Sequence, residues 1–188
     1  MKEQRFSGKI DHTEKTITAL YRAQYHAYEK TQMLLWMGVG FAMVLTAALA
    51  NLPMWAKAIL LLIGAWLIIS MDFPAQVRAD RALEVRKAEL PSMQYEFHKD
   101  AMKISGEGSM SIPYKKIARL AEDPEYLYVF MGKDSVCMIE RSSVKPDSDA
   151  LQEFLAKKTG LDWLNEKSLL TVNLADVILM FRNRKDKK

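Results

Sequence analysis

Two long apolar runs dominate the first half of the chain. The first covers residues 33–50 and reads MLLWMGVGFAMVLTAALA, without a charge. Eighteen helical residues rise about 27 Å, close to the thickness of about 30 Å of a hydrocarbon core. The second, residues 55–73, reaches about 28 Å and holds Lys57 near one end, where its amine can reach the headgroups. The pattern predicts two transmembrane helices, at about 33–52 and 55–73.

The break between the runs is short. Asn51 to Met54 include Pro53, which ends the first helix or opens the second. So short a connection predicts an antiparallel hairpin over residues 33–73. The alternative is a buried hairpin in a soluble protein, but such helices usually keep a polar face, and these runs have almost none.

Small residues recur every four positions along the first run: Gly38, Ala42, Thr46 and Ala50. Such a stripe lets helices approach closely. If the chain reverses near Pro53, Trp66 lies at the depth of Gly38 and Gly40, and we predict that it packs against them. The alternative is that Ala-rich helices show such stripes by chance.

Basic residues flank the predicted hairpin on its terminal sides: Lys15, Arg22 and Lys30 before it, and Arg78, Arg81, Arg86 and Lys87 after it. The loop offers only Lys57. Because cytoplasmic segments carry the excess of Lys and Arg, both termini are predicted in the cytoplasm.

The segments next to the hairpin read as helices. Residues 1–32 predict a short strand and an amphipathic helix that starts near Glu14, capped by Asp11 or Thr13. Its tyrosines suit either the headgroup belt or packing against a cytosolic domain. Residues 74–91 predict a charged, solvated helix that carries the chain away from the membrane.

From Met93 onward the pattern changes to short alternating runs separated by turn residues, which predicts five or six antiparallel strands. A helix follows, capped by Asp147 or Ser148 and ended by Gly160. The overall class is therefore an α+β membrane protein. It combines the two-helix hairpin with a pleckstrin-homology-like (PH-like) antiparallel half-barrel over residues 92–160, capped by a helix. The predicted core consists of Tyr95, Phe97, Ile104, Ile112, Ile117, Leu127, Val129, Ile139, Leu151 and Phe154 or Leu155.

Charge is concentrated at the C-terminal end. The chain carries +4 overall, and its last seven residues hold five basic residues and one acid. A neutral body with a basic tail argues against nucleic-acid binding. Residues 161–188 are predicted as a C-terminal helix and basic tail. This segment either lies on the membrane, with Arg182, Arg184 and Lys185 at lipid phosphates, or docks on the sheet.

Residues for catalysis are sparse. His12, His26 and His98 are scattered, without metal-ligand spacing, and Cys137 is a single strand cysteine. No catalytic, metal or cofactor site is predicted. Lys115, Lys116 and Arg119 stand close together beside Tyr114, and they are the candidate contact for lipid or a partner. A solvated turn is the alternative.

Several short motifs carry a resemblance to a known family. They are Tyr95-x-Phe97, Ile112-Pro113-Tyr114-x-x-Ile117, the aromatic run 126–130, and Met138-Ile139-x-Arg141. With the order of elements over residues 5–160, they resemble the bacterial YcxB-like family. The resemblance implies a plasma-membrane protein with a PH-like cytosolic domain, and it supplies no activity or catalytic residues.

We therefore expect a non-enzymatic membrane protein whose cytosolic domain binds a partner protein, or secondly lipid headgroups, at the inner membrane face. Regulation or self-protection of the cell are roles that such a protein could serve. The alternatives are a homo-oligomeric transporter or channel subunit and a membrane enzyme with an unfamiliar site.

Overall fold

The structure is a computed structural model, and it describes residues 4–86, 90–106 and 108–165. The helices in this part are α1 (Glu14–Tyr28), α2 (Lys30–Leu49), α3 (Met54–Ile69), α4 (Phe73–Arg86) and α5 (Ser148–Thr159). The strands are β1 (Gln4–Asp11), β2 (Ser92–His98), β3 (Ala101–Ser105), β4 (Ser109–Pro113), β5 (Arg119–Glu122), β6 (Tyr126–Gly132), β7 (Ser135–Glu140) and β8 (Trp163–Asn165). The predicted class, mixed α and β with antiparallel sheets, is confirmed.

The strands form two sheets, in the orders β1-β2-β3-β4 and β7-β6-β5-β8. Strand β1 pairs with β2 across the whole helical segment, with Gly8 opposite Tyr95. It also forms a bridge between Ser7 and Lys145, which lies in the segment between β7 and α5. The sheet therefore includes the N-terminal strand, beyond the predicted domain of residues 92–160, and the helices are an insertion between its first two strands.

After α5, residues 163–165 form β8, which pairs with β5 in parallel. This strand stands where the sequence predicted the start of a C-terminal helix. The remaining residues of that segment, with Arg182, Arg184 and Lys185, lie outside the described residues.

Helix α5 closes one end of the paired sheets. The Asp147 side chain accepts a hydrogen bond from the Ala150 amide at 2.9 Å, so of the two predicted caps Asp147 is the one used. Gly160 ends the helix with a φ of 70°, a conformation that favours glycine. Leu151 and Leu155 are fully buried, and the Phe154 ring contacts Phe6 and Tyr114 at centroid distances of 5.4 and 5.6 Å.

Helix α1 packs on the outer face of β6. Its N-cap is Thr13, whose hydroxyl accepts from the Thr16 amide while the Thr16 hydroxyl accepts from the Thr13 amide. Of the two predicted caps, Thr13 is therefore the one used, and Thr16 completes the capping box three residues later. Near the other end of α1, the ring of Tyr28 meets Phe130 edge-on at 5.6 Å.

Strand β6 is consequently covered on both sides, and its first five residues are all buried. Leu127 and Val129 are completely buried, as are their neighbours Tyr128 and Phe130. The predicted core residues are buried, except that Ile104 and Phe154 are half-buried.

Helix α4 is more than a solvated extension. Ala75 and Ala79 are 2% and 0% exposed, since α4 packs along α1. Its small residues form a narrow buried stripe that a count of charges does not show.

Helices α2 and α3 pack against each other at a pair of glycines. A Cβ atom on Gly40 would lie 2.9 Å from the Gly64 carbonyl oxygen, and one on Gly64 would lie 2.8 Å from that of Gly40. The backbones are therefore in direct contact. Trp66 is 64% exposed, and a Cβ on Gly38 would meet nothing within 4 Å.

The predicted packing of Trp66 against Gly38 and Gly40 is therefore wrong. The predicted position of Gly40 along the hairpin agrees with the structure, because Gly40 lies opposite Gly64, Leu67 and Ile68 of α3. The helix phase decides the contact: successive residues turn by about 100°, so Trp66 points away from the side on which Gly64 lies. Likewise Ala42 and Thr46 are exposed, and the small-residue stripe lies on the outer surface of α2.

The described residues contain one helix, Lys30–Leu49, that is long and apolar enough by itself to cross a membrane. Only 17% of its most apolar window is buried within the protein. Helix α3 reaches this standard only together with α4, across a bend of 51°. Length and composition thus give one span, or two if the bent pair counts as one.

Candidate functional site

Lys115, Lys116 and Arg119, the predicted basic contact, have different surroundings in the structure. Lys115 and Lys116 lie next to each other, exposed, on a 3₁₀ turn that follows β4. Arg119 instead reaches helix α1, where its guanidinium lies 4.4 Å from the centre of the Tyr28 ring and donates to the Ala27 carbonyl oxygen. Arg119 is also exposed, but it holds the C-terminal end of α1, whereas the two lysines lie on the turn.

The turn that carries the lysines is anchored from beneath. Tyr114 is buried, and its hydroxyl donates to the His98 carbonyl oxygen at 2.7 Å. Arg141 has a similar structural role, since it donates to Glu122 at 2.8 Å and to Gln152 at 2.7 Å, which connects β7 with β5 and α5. These two residues of the short sequence motifs therefore stabilise the fold.

A cluster of charged groups joins the hairpin to the sheets. Glu29 lies between α1 and α2, and its carboxylate accepts two bonds from Arg78 of α4, at 2.6 and 2.9 Å. Lys133, in the turn between β6 and β7, lies 3.1 Å from the same carboxylate. Gln24 of α1 donates to the Lys133 carbonyl oxygen at 2.5 Å. One acid therefore connects three separate parts of the chain.

The environment of Glu29 favours its ionised form. Its side chain is only 11% exposed, and the hydrogen bonds from Arg78 lower its pKa, helped by Lys133 and opposed by burial. A second acid, Asp72, lies at the end of the second apolar run. Its carboxylate is 2.7 Å from His26 Nε2 and 3.4 Å from Arg22 Nε. Both ends of the hairpin are thus fastened to α1 or α4 by buried or half-buried charges.

A cavity of about 460 Å³ lies between the two sheets and helices α1 and α4. Most of its wall is apolar and comes from strands of both sheets, including Met93, Ile104, Met110, Ile112, Met131 and Val136. Helix α1 adds Leu20 and Tyr21, and α4 adds Ala82 and Leu83. No Lys, Arg, Asp or Glu is among the described residues that line it.

Cys137 belongs to the cavity wall. It is 5% exposed, and burial raises the pKa of its thiol to about 12. Burial also raises the pKa of the neighbouring Tyr95. A thiol that stays protonated is a poor nucleophile, so Cys137 contributes packing and not reactivity. Among the residues that the structure describes, no three His, Cys, Asp or Glu side chains are grouped to hold a metal ion.

The sequence reasoning missed both the charged cluster and the cavity. A signal for the cluster exists, because Glu29 lies four residues before the first apolar run and Asp72 lies at the end of the second. An acid at each end of such a segment needs a cation, and Arg78 and His26 lie on the adjoining helices. The cavity has no local signal, since strands from both sheets and two helices form it.

Fold and site together define a mixed α+β protein in which a two-sheet domain is fastened to an apolar helical hairpin. The family model of YcxB-like proteins matches residues 97–157. This confirms the resemblance to the YcxB-like family that the short motifs indicated. The matched region extends from β2 to α5, so α1 to α4 lie outside it. No curated protein and no solved structure matches the chain.

Proposed function

We propose that the chain is an integral membrane protein of the bacterial plasma membrane, whose α2–α3 hairpin crosses the bilayer with both termini in the cytoplasm. The outward surface of this hairpin carries the proposal. Leu49, Leu62 and Trp66 are 83%, 72% and 64% exposed, and they belong to a continuous apolar surface on α2 and α3. A patch of this extent is rare in water and suits hydrocarbon.

The two-sheet domain is then a PH-like cytosolic module at the inner membrane face. The arrangement of β1 to β7 with α5 at one end supports this likeness. The cluster at Glu29 holds the domain against the helices that lead into the bilayer, so its orientation relative to the membrane is fixed. A module held in this way suits binding a partner protein, or secondly anionic headgroups through Lys115 and Lys116.

A binding role fits the side chains better than a catalytic one. Arg119, Arg141 and Glu29 are used in structural contacts, and the Cys137 thiol stays protonated. Regulation or self-protection of the cell are roles compatible with such a module. Hydrolytic or transferase activity of the purified chain would overturn the non-enzymatic assignment.

Topology is tested with reporters that are active only outside the cytoplasm. A fusion after Lys188 should be silent and an insertion at Asn51 should be active, because the loop is on the far side of the bilayer. The opposite pattern contradicts the orientation. Extraction with alkaline carbonate should leave the chain in the membrane fraction, and its release would contradict the anchor itself.

Headgroup contact is tested by hydrogen exchange on the full chain in nanodiscs. Amides of residues 113–118 should exchange more slowly in anionic than in zwitterionic lipid, and changing Lys115 and Lys116 to Ala should remove the difference. Equal exchange in both lipids would leave a partner protein as the ligand of this face.

A second candidate function is a subunit of an oligomeric transporter or channel. The exposed stripe of Gly38, Ala42 and Thr46 favours it, since small residues on a lipid-facing surface allow a second hairpin to approach. Native mass measurement in nanodiscs separates the candidates. A monomer supports the binding module, and an oligomer that Ala42→Leu dissociates supports the subunit.

A further inference from the structure

The cavity between the sheets and the helices is partly open to solvent, and Met110 in its wall is 62% exposed. A volume of about 460 Å³ falls within the range of about 300–1,000 Å³ that is typical of ligand sites. Its apolar wall gives water few partners, so an apolar group is the occupant that its chemistry selects.

Positive charge lies beside the cavity. Tyr21 and Ala82 line it and also line a shallow depression that contains Arg78 and Arg81 of α4. The charge of Arg78 is neutralised by Glu29. Arg81 forms no ion pair with any residue that the structure describes, so its guanidinium remains available to an anion.

An apolar cavity with an available arginine beside it is complementary to a molecule with an apolar tail and an anionic head. We infer that the cavity binds a single-chain anionic amphiphile, a long-chain fatty acid or a lysophospholipid, with its tail among the methionines and its head at Arg81. This inference deepens the proposed binding role and rests on it.

Three features favour a ligand with a single, flexible acyl chain. The volume lies at the lower end of the ligand-site range, which disfavours a lipid with two chains. Met93, Met110 and Met131 are unbranched and adaptable, so they can follow a chain that bends. Ala82 lies about 14 Å along α4 from Phe73, so the part of the cavity beside Arg81 is close to the proposed membrane surface from which such amphiphiles come.

The test uses the full chain in zwitterionic nanodiscs and palmitate that carries a diazirine in the middle of its chain. After illumination, modified peptides are mapped by mass spectrometry. Modification should fall on the cavity strands, around Met110 and Val136. Modification confined to α2 and α3 would show only contact with dissolved probe and would overturn the inference.

Two variants locate the tail and the head. Ala82→Trp places a large ring in the cavity wall and should abolish modification of the strands. Arg81→Gln should reduce modification about tenfold, the effect of losing one charge-assisted contact. Lys116→Gln is the matched control, a cation removed from an exposed turn outside the cavity wall, and should have no effect. Because Arg81 is exposed, its variant tests the inference even if the Trp variant misfolds.

Competition identifies the headgroup. Unlabelled palmitate and lysophosphatidylglycerol distinguish a carboxylate from a phosphate, and hexadecanol supplies the same chain without charge. Hexadecanol should compete about tenfold less well than palmitate on the natural protein, and equally on Arg81→Gln. Equal competition on the natural protein would overturn the anionic assignment. Carbonate extraction reports on the anchor alone, so its failure is distinguishable from failure of the ligand site.

Discussion

Strand β6 and helix α2 are both strongly apolar, yet their side chains differ in how far they are buried within the protein. The first five residues of β6 are buried, between the interior of the sheets and helix α1. In α2 only Met33, Gly40 and Ala47 are buried among 20 residues, and its bulky side chains face outward. The strand is stabilised by other parts of the same chain. The helix leaves most of its apolar side chains without contacts inside the described part of the chain, as expected for the membrane span proposed above.

The contrast shows that apolar content does not by itself identify a protein core. In β6 large rings fill space, as where Phe130 meets Tyr28. In the hairpin, α2 and α3 come into contact because Gly40 and Gly64 have no side chains. Changes of residue size should therefore act in opposite directions in the two regions.

The largest effect is expected from removing a ring of β6. Phe130→Ala should lower the free energy of unfolding by about 3–5 kcal/mol, because it leaves a cavity beside Tyr28. Phe41→Ala, at a position 52% exposed on α2, should change it by less than about 0.5 kcal/mol. Urea unfolding followed by Trp163 fluorescence, with the three hairpin tryptophans replaced by Phe, gives both values. Similar losses for both variants would remove the distinction.

A charge on the outer surface of the hairpin should have the next largest effect. Leu62→Arg places a cation near the middle of α3 and should disfavour insertion by about 2.5–3.5 kcal/mol. In water, an exposed position tolerates such a change within about 0.5 kcal/mol, as expected for Leu164→Arg on β8. The fraction resistant to carbonate measures insertion. An unaffected Leu62→Arg would mean that water surrounds the hairpin.

Adding one methyl group should change the stability of the hairpin in opposite directions at Gly40 and at Gly38. Gly40→Ala should destabilise by about 1–3 kcal/mol, since its Cβ would meet the Gly64 carbonyl. Gly38→Ala meets nothing within 4 Å and should stabilise by up to about 1 kcal/mol through helix propensity. Thermal unfolding in nanodiscs compares them. A destabilising Gly38→Ala would place the helix contact on the predicted stripe after all.

The smallest effect concerns the junction between the two regions. The pKa of Glu29 is lowered in the folded protein, so its stabilising contribution is complete above its ordinary value of 4.5 and is lost as the pH falls below it. Glu29→Gln should cost about 1 kcal/mol at neutral pH and remove part of the acid sensitivity. Unfolding midpoints at several pH values provide the measurement. Parallel pH profiles for both proteins would exclude Glu29 as a source of acid sensitivity.

Elements with a strong local signal could be predicted from the sequence. The apolar runs gave the helices of the hairpin, alternation and turn residues gave the strands, and Asp147 with Gly160 bounded α5. The depth of Gly40 relative to α3 followed from the position of Pro53. All of these depend on neighbours in the chain, which a sequence displays directly.

Features that depend on phase or on distant pairing could not be predicted. Trp66 and Gly64 differ by two positions, and only the rotation of α3 decides which of them meets Gly40. Arg119 is an ordinary surface cation in the sequence, because Tyr28 and the Ala27 carbonyl that hold it are far away. The parallel pairing of β8 and the cavity wall likewise arise from segments that become neighbours only in the fold.

The pairing of β1 with β2 determines the order in which parts of the fold can form during synthesis. Ser92 follows Asp11 by 81 residues, and the whole hairpin is made between them. At about 5–20 residues per second, β1 waits roughly 4–16 s for its partner. The hairpin therefore leaves the ribosome first. In the topology proposed above, its delivery to the bilayer precedes closure of the two-sheet domain. A nascent chain stalled before residue 92 should already be membrane-bound while its first strand is still open to proteases.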